Sequence, residues 1–186
     1  NQMGLAHFVT FGNKADIDEA DILEEIAEDP ETKVIGMYCE GISDGEKFVQ
    51  AVENMSVKKP IVIFKSGRTQ AGSAAASSHT GSLAGSDAVN NVIFNKLNIF
   101  RALDLDEMFD ALGVFSTCSP MKKDGIAIIT NAGGLGVMSA DAAFDAPHIN
   151  AVKFSDETIA EIKRRVPTVA GLTNPIDVRG DAKPEY

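Results

Sequence analysis

Apolar runs of four to six residues alternate along the chain with stretches whose apolar positions recur at helical spacing. AHFVTF (6–11), KVIGMYC (33–39) and PIVIFK (60–65) are continuous runs that predict strands, and IFRA (99–102) predicts a short one. Between them, Ile22, Leu23 and Ile26 share one helical face over 18–28, and Phe48, Val49, Val52 and Met55 share another over about 45–55. A helix over about 86–96 is expected to turn Val89, Val92, Ile93 and Leu97 inward. Leu105, Met108, Phe109, Leu112 and Phe115 mark a further helical face, with Asp104 and Glu107 at capping-box spacing before it. Strands that are apolar throughout and separated by helices imply a parallel sheet covered on both faces.

TCSPMKKDG (117–125) breaks this rhythm with a proline, two lysines and a glycine, and marks a domain boundary. The same order then restarts: GIAIIT (125–130) as a strand, NAGGLG (131–136) as a glycine-rich turn, and Val137 to Asp145 as a helix. Ser155 caps a last helix with Asp156 and Glu157 in its first turn and Lys163, Arg164 and Arg165 in its last, before Pro167. That charge order complements the helix dipole. The reading is α/β, with two units over about 1–119 and 120–186, each incomplete.

Composition narrows the function classes. The 186 residues carry 17 basic and 27 acidic side chains, a net charge of −10. Such a chain repels nucleic acid and anionic lipid, so neither is an expected partner through a basic patch. A phosphate-bearing ligand must then be held by local backbone N–H groups or a metal. Cys39 and Cys118 lie in apolar runs without a CxxC pair and read as buried free thiols of a reducing compartment. No signal peptide is seen, and no apolar run reaches the roughly 20 residues that cross a bilayer. A cytoplasmic protein is expected. The chain starts at Asn1 and stops just after NPIDVRGDAKPEY, so it reads as an excised piece of something longer.

Candidate chemistry centres on SSHTGSLAGS, which places His79 on a small-residue loop beyond the carboxyl end of a predicted parallel strand. Ligands of open α/β sheets bind at that edge. Gly81 and Gly85, with Ser82 between them, can present backbone N–H groups and a hydroxyl to an anion. A neutral imidazole is a good phosphoryl acceptor near neutral pH, provided its other nitrogen has a hydrogen-bond acceptor that fixes the tautomer. Glu40, at the end of the neighbouring strand, can supply it. A surface loop with an incidental histidine fits the composition equally well. The turn holding Asn131, Ala132, Gly133 and Gly134 has the geometry of an anion-binding strand–helix junction, but neither dinucleotide spacing nor a P-loop lysine. Tight strand–helix packing explains it as well. Lys65, Arg68 and Arg179 lie near these loops, where solvation or ion pairing is the simpler reading. NPIDVRGDA reads as a loop with a capping Asp. His7 and His148 carry no role, and with no His or Cys at ligand spacing no metal site is expected.

Together, FGNKADIDEADIL, DPETKVIGMYCEGISDGEKF, IVIFKSGRTQAGSAAASSHTGSLAG, IAIITNAGGLGVMSADA and NPIDVRGDA resemble the ADP-forming (NDP-forming) acyl-CoA synthetases of the acetate–CoA ligase type, relatives of succinyl-CoA ligase and ATP-citrate lyase. The likeness spans essentially the whole chain, with the motifs in family order. It implies two successive flavodoxin-like doubly wound domains. The first would lack its opening strand and phosphate loop, and the second would be cut after NPIDVRGDA. It further implies that His79 is phosphorylated, that Glu40 steadies it, and that the 131–136 turn belongs to an anion-binding helix start facing the phosphohistidine. The implied enzyme interconverts acyl-CoA, ADP and phosphate with acid, CoA and ATP through an acyl phosphate. It needs CoA, ADP or ATP with Mg²⁺, a CoA-binding domain and an ATP-grasp domain or subunit. This piece alone is expected to be inert, since it holds the phosphoryl carrier but neither substrate pocket in full, and none of these ligands is assigned to it by itself. The competing reading is a ligand-sensing module of a regulatory protein such as a protein acetyltransferase. The presence of both His79 and Glu40 favours catalysis.

Overall fold

The computed structural model describes residues 4–12, 14–80, 86–147, 149–166 and 171–183, with side chains described throughout these ranges except at 76–80. The chain divides into two compact units, Asn1–Ser119 and Pro120–Tyr186.

The first unit holds a three-stranded parallel sheet in the order β1 (Ile35–Cys39), β2 (Ile61–Lys65), β3 (Phe100–Arg101). The register pairs Ile35 with Ile61 and Cys39 with Lys65, and Ile63 with Arg101. The central strand is apolar on both sides because both its faces are covered. Ile61 and Ile63 join a core with Leu23 of α1 (Glu19–Glu28), Phe48 and Val52 of α2 (Gly45–Asn54) and Phe94 of α4 (Asp87–Lys96). Val62 faces the other way, with Met108 and the half-buried Leu112 of α5 (Leu105–Thr117). Gly36 allows that approach: a Cβ there would stand 2.9 Å from Leu112 Cδ1. The helix starts follow their caps. Asp18 accepts from Ala20 and Asp21 in a full capping box, and Asp44 and Asp104 accept from the third residue of their helices.

Several expectations are corrected. Residues 6–11 form no strand; Leu5 and Phe8 are exposed, and no described strand pairs with the run. α4 reaches the core through Phe94, with Ile93 and Leu97 half-buried, so Val89 and Val92 face solvent. On α5, Met108, Ala111 and Leu112 meet the sheet and Phe115, though partly exposed, sets its ring edge-on to Phe100 of β3, leaving Leu105 and Phe109 exposed on the flanks. Glu107 does not close the box on Asp104 but accepts from the Leu103 amide instead. Cys39 is buried as expected, whereas Cys118 is exposed just past the end of α5; both are free thiols.

The second unit pairs β4 (Gly125–Ile126) with β6 (Asn150–Ala151) and β5 (Ile129–Thr130) with β7 (Ile176–Asp177), both parallel. The single strand expected over 125–130 is therefore broken, and the side chain of Asn174 explains why. Its Oδ1 accepts from the Ile128 amide at 2.8 Å, and its Nδ2 donates to the carbonyls of Ile126 at 2.8 Å and Val152 at 3.1 Å. The helices are α6 (Gly133–Asp145) and α7 (Asp156–Arg165), the latter capped by Ser155. Pro167 and His148 lie outside the described residues. Among the described residues, no helix is long and apolar enough to cross a membrane.

Candidate functional site

β1 and β2 run parallel, so their carboxyl ends open on one edge of the first unit. Glu40 follows β1 directly and Ser66 follows β2, joined by a hydrogen bond from the Ser66 amide to the Cys39 carbonyl at 3.0 Å. Glu40 is half-buried, and its Oε2 is buried without a hydrogen bond. A carboxylate oxygen in that state is costly, and native structures rarely leave one without a purpose.

The segment after Glu40 is pinned from below by residues that sequence reasoning did not single out. Glu19 is only 2% exposed, pairs with Lys14 Nζ at 3.0 Å, and accepts from the Ser43 amide. Lys14 also donates to the Gly41 carbonyl at 2.6 Å. A buried acid that accepts across 24 residues of separation leaves no local signal beyond its place in the first turn of α1.

On the second strand, Ser66 to Thr69 lead into α3 (Gln70–Thr80). The Thr69 hydroxyl accepts from the Gly72 amide at 3.1 Å and the Thr69 carbonyl from the Ser73 amide at 2.8 Å, so Thr69 caps the helix. Its alanines are strong helix formers. The histidine is thus carried on the last turn of a helix rather than on the open loop expected from the small residues. Gly81 and Ser82 lie outside the described residues.

Lys65, expected to be solvated or ion-paired, is neither. It is 3% exposed, its Nζ donates to the Ser66 carbonyl at 3.1 Å, and it has no carboxylate partner among the described residues. Arg101, on β3 opposite Ile63, is compensated by a two-pronged pair with Asp87 and lies over the Phe94 ring at 5.9 Å. Burial is the main influence on the nearby Cys39 thiol and pushes it up to about 11, with smaller effects from Lys14, Glu19, Lys65 and Arg101.

In the second unit, Asn131 and Ala132 precede α6, and Gly133 and Gly134 form its first turn. No side chain caps this helix; the Thr130 hydroxyl instead accepts from the Ala132 amide at 3.0 Å. Asp177, expected in a loop, ends β7. Its Oδ1 accepts from the Arg179 amide, and its Oδ2 lies so close that a Cβ on Gly133 would meet it at 3.2 Å. A carboxylate against that helix start is favoured by the dipole and competes there with any other anion. Arg179 itself is exposed and 3.7 Å from Asp181.

A family model described as the succinyl-CoA ligase-like flavodoxin domain matches residues 1–115. The chain is 43% identical over 183 residues to an ADP-forming acetate–CoA ligase of Methanocaldococcus jannaschii, covering 98% of this chain and 26% of that protein. It is 40% identical over 185 residues to the alpha subunit of ADP-forming acetate–CoA ligase I of Pyrococcus furiosus, covering 97% of this chain and 39% of that subunit. Among solved structures, the dinucleotide-forming acetyl-coenzyme A synthetase 1 of Ca. Korarchaeum cryptofilum, in complex with phosphate and ADP, superposes with a TM-score of 0.84 at 40% identity. The match covers 94% of this chain and 38% of that one. The chain therefore spans between about a quarter and two fifths of the length of these relatives. With the matched model covering more than half of its length, the chain belongs to the succinyl-CoA ligase-like flavodoxin domain family.

Proposed function

We propose that this chain is the phosphoryl-carrying region of an NDP-forming acyl-CoA ligase, with His79 as the carrier. In the complete enzyme, phosphate attacks the acyl-CoA thioester, releasing CoA and leaving an acyl phosphate. A ring nitrogen of His79 then forms a bond to phosphorus as the acyl oxygen leaves, giving the free acid and a phosphohistidine. Transfer of that phosphoryl group to ADP yields ATP and restores the imidazole. Glu40 accepts a hydrogen bond from the other ring nitrogen and balances the positive charge as the bond forms. Gly81, Ser82 and the Asn131–Gly134 turn are assigned to holding the phosphoryl group, and residues 120–186 to a second flavodoxin-like domain. CoA, ADP or ATP with Mg²⁺, a CoA-binding domain and an ATP-grasp domain or subunit complete the machinery.

The observation that carries this reading is the buried, unbonded Oε2 of Glu40 at the sheet edge from which the histidine helix departs. An imidazole N–H is the kind of donor that such an oxygen lacks. The high identity to ADP-forming acetate–CoA ligases supports the same chemistry. The test is ATP formation by the full-length protein from acetyl-CoA, ADP and phosphate. Turnover is expected. A protein that responds to acyl-CoA by a change of conformation but forms no ATP would instead be a sensor.

A further inference from the structure

Resting on that reading, we propose that the Lys14–Glu19 ion pair is a positioning device for Glu40, and that the rate of histidine phosphorylation depends on it. No hydrogen bond holds Glu40 Oε2, so its aim is set by the backbone on either side. Upstream that backbone is β1, tied to β2 by the Ser66 amide on the Cys39 carbonyl. Downstream it is the segment Gly41–Ser43, which belongs to no helix or strand. The ion pair holds that segment at both ends: Glu19 accepts from the Ser43 amide, and Lys14 donates to the Gly41 carbonyl at 2.6 Å. Ile42, between them, packs against the core.

Three features distinguish this pair from space-filling. Apolar residues of similar volume often stabilise a fold at least as well as a buried ion pair, so what the charges add is direction. Both partners give that direction to one short segment, the one that follows Glu40. Next, Lys14 has a φ of 54°, a left-handed backbone that a residue with a side chain adopts at a cost and keeps only where its surroundings enforce it. The surroundings do so, because Asp18 caps α1 ahead of Glu19 and Lys47 bridges Asp18 at 3.1 Å and Asp21 at 2.7 Å. Finally, the Lys14 charge reaches this end of β1. Burial dominates at the Cys39 thiol, and Lys14 is the largest influence opposing it.

The test is a double-mutant cycle in the full-length protein, read by single-turnover labelling with Mg²⁺ and saturating γ-labelled ATP. Lys14→Met, Lys14→Arg and Glu19→Gln are each made with Glu40 intact and in the Glu40→Gln background, and circular dichroism checks every fold. With Glu40 intact, Lys14→Met is expected to slow phosphohistidine formation about three- to tenfold. In the Glu40→Gln background it is expected to slow it no further, because the pair acts through that carboxylate. Lys14→Arg, which keeps the charge and the donors, is expected to recover most of the rate lost in Lys14→Met. If Lys14→Met does not fold, Glu19→Gln decides by the same comparison, since it keeps an acceptor for the Ser43 amide. Equal slowing in both backgrounds marks a merely structural pair and overturns the proposal while leaving His79 as carrier. Undiminished labelling in a folded Lys14→Met does the same. A parent protein that acquires no label at His79 overturns the carrier and the positioning device together.

Discussion

Glu19 and Lys14 form a buried ion pair at 3.0 Å whose remaining bonds, to the Ser43 amide and the Gly41 carbonyl, grip the segment just after Glu40. The proposed site therefore rests on a charged pair within the same unit, and each layer of that arrangement has its own measurement.

Glu40→Gln preserves size but removes the charge that would support an imidazolium. Phosphohistidine formation in the full-length protein is expected to slow about ten- to a hundredfold, by analogy with the loss of a partner that orients a functional imidazole. Thermal unfolding is expected to change little, because the altered oxygen has no hydrogen bond to lose. Rapid-quench labelling checks the rate, and unchanged labelling removes Glu40 from the site.

Breaking the pair below should cost stability first. Glu19→Ala removes the counter-ion of Lys14 and leaves the Ser43 amide without its acceptor, a loss of roughly 3 kcal/mol, at the low end for buried pairs because Lys14 keeps 22% exposure and its bond to the Gly41 carbonyl. Glu19→Gln retains an acceptor for Ser43 and should lose less. Urea denaturation orders the two. Equal stabilities for both variants and the parent would show that the pair does not anchor the segment.

Thiol chemistry separates the two cysteines. Burial holds Cys39 up at about 11, so little thiolate exists at pH 8, whereas Cys118 is exposed. A disulfide-exchange reagent is expected to modify one thiol quickly in the folded chain and two after denaturation. Rapid modification of Cys39 in the folded chain would contradict its burial.

The end of α7 supplies a pH test. The Arg164 guanidinium, and then that of Arg165, hold Glu161 down from 4.5 to about 2. A folded-state value below the unfolded one means that the contribution is present above about pH 4.5 and is lost as pH falls through 2. These groups are exposed, so salt should weaken the effect. Carboxyl NMR titration is expected to give a Glu161 midpoint near 2 at low salt that rises towards 4.5 at high salt. A midpoint of 4.5 at every salt concentration would rule out the pairing.

How far the sequence could be read depended on where each signal resides. β2 and α2 were legible because Ile61, Ile63, Phe48 and Val52 are all buried in periodic positions. The faces of α4 and α5 were read too broadly. Periodicity shows which residues share a side, but not that Val89, Val92, Leu105 and Phe109 are left exposed. SSHTGSLAGS reads as a loop because Ser and Gly suit both states, whereas the helix that carries His79 starts at a cap on Thr69 that is a single hydroxyl. The break in 125–130 comes from Asn174, more than forty residues later. Nor could composition show that Lys65 is buried; only the packed sheet edge does that.

The most direct test is the position of the label. The full-length protein, incubated with Mg²⁺ and γ-labelled ATP, is expected to acquire an acid-labile, alkali-stable phosphoryl group that maps to His79 and disappears in His79→Ala. Undiminished labelling of His79→Ala, or a label mapped to any other residue, would contradict the carrier assignment.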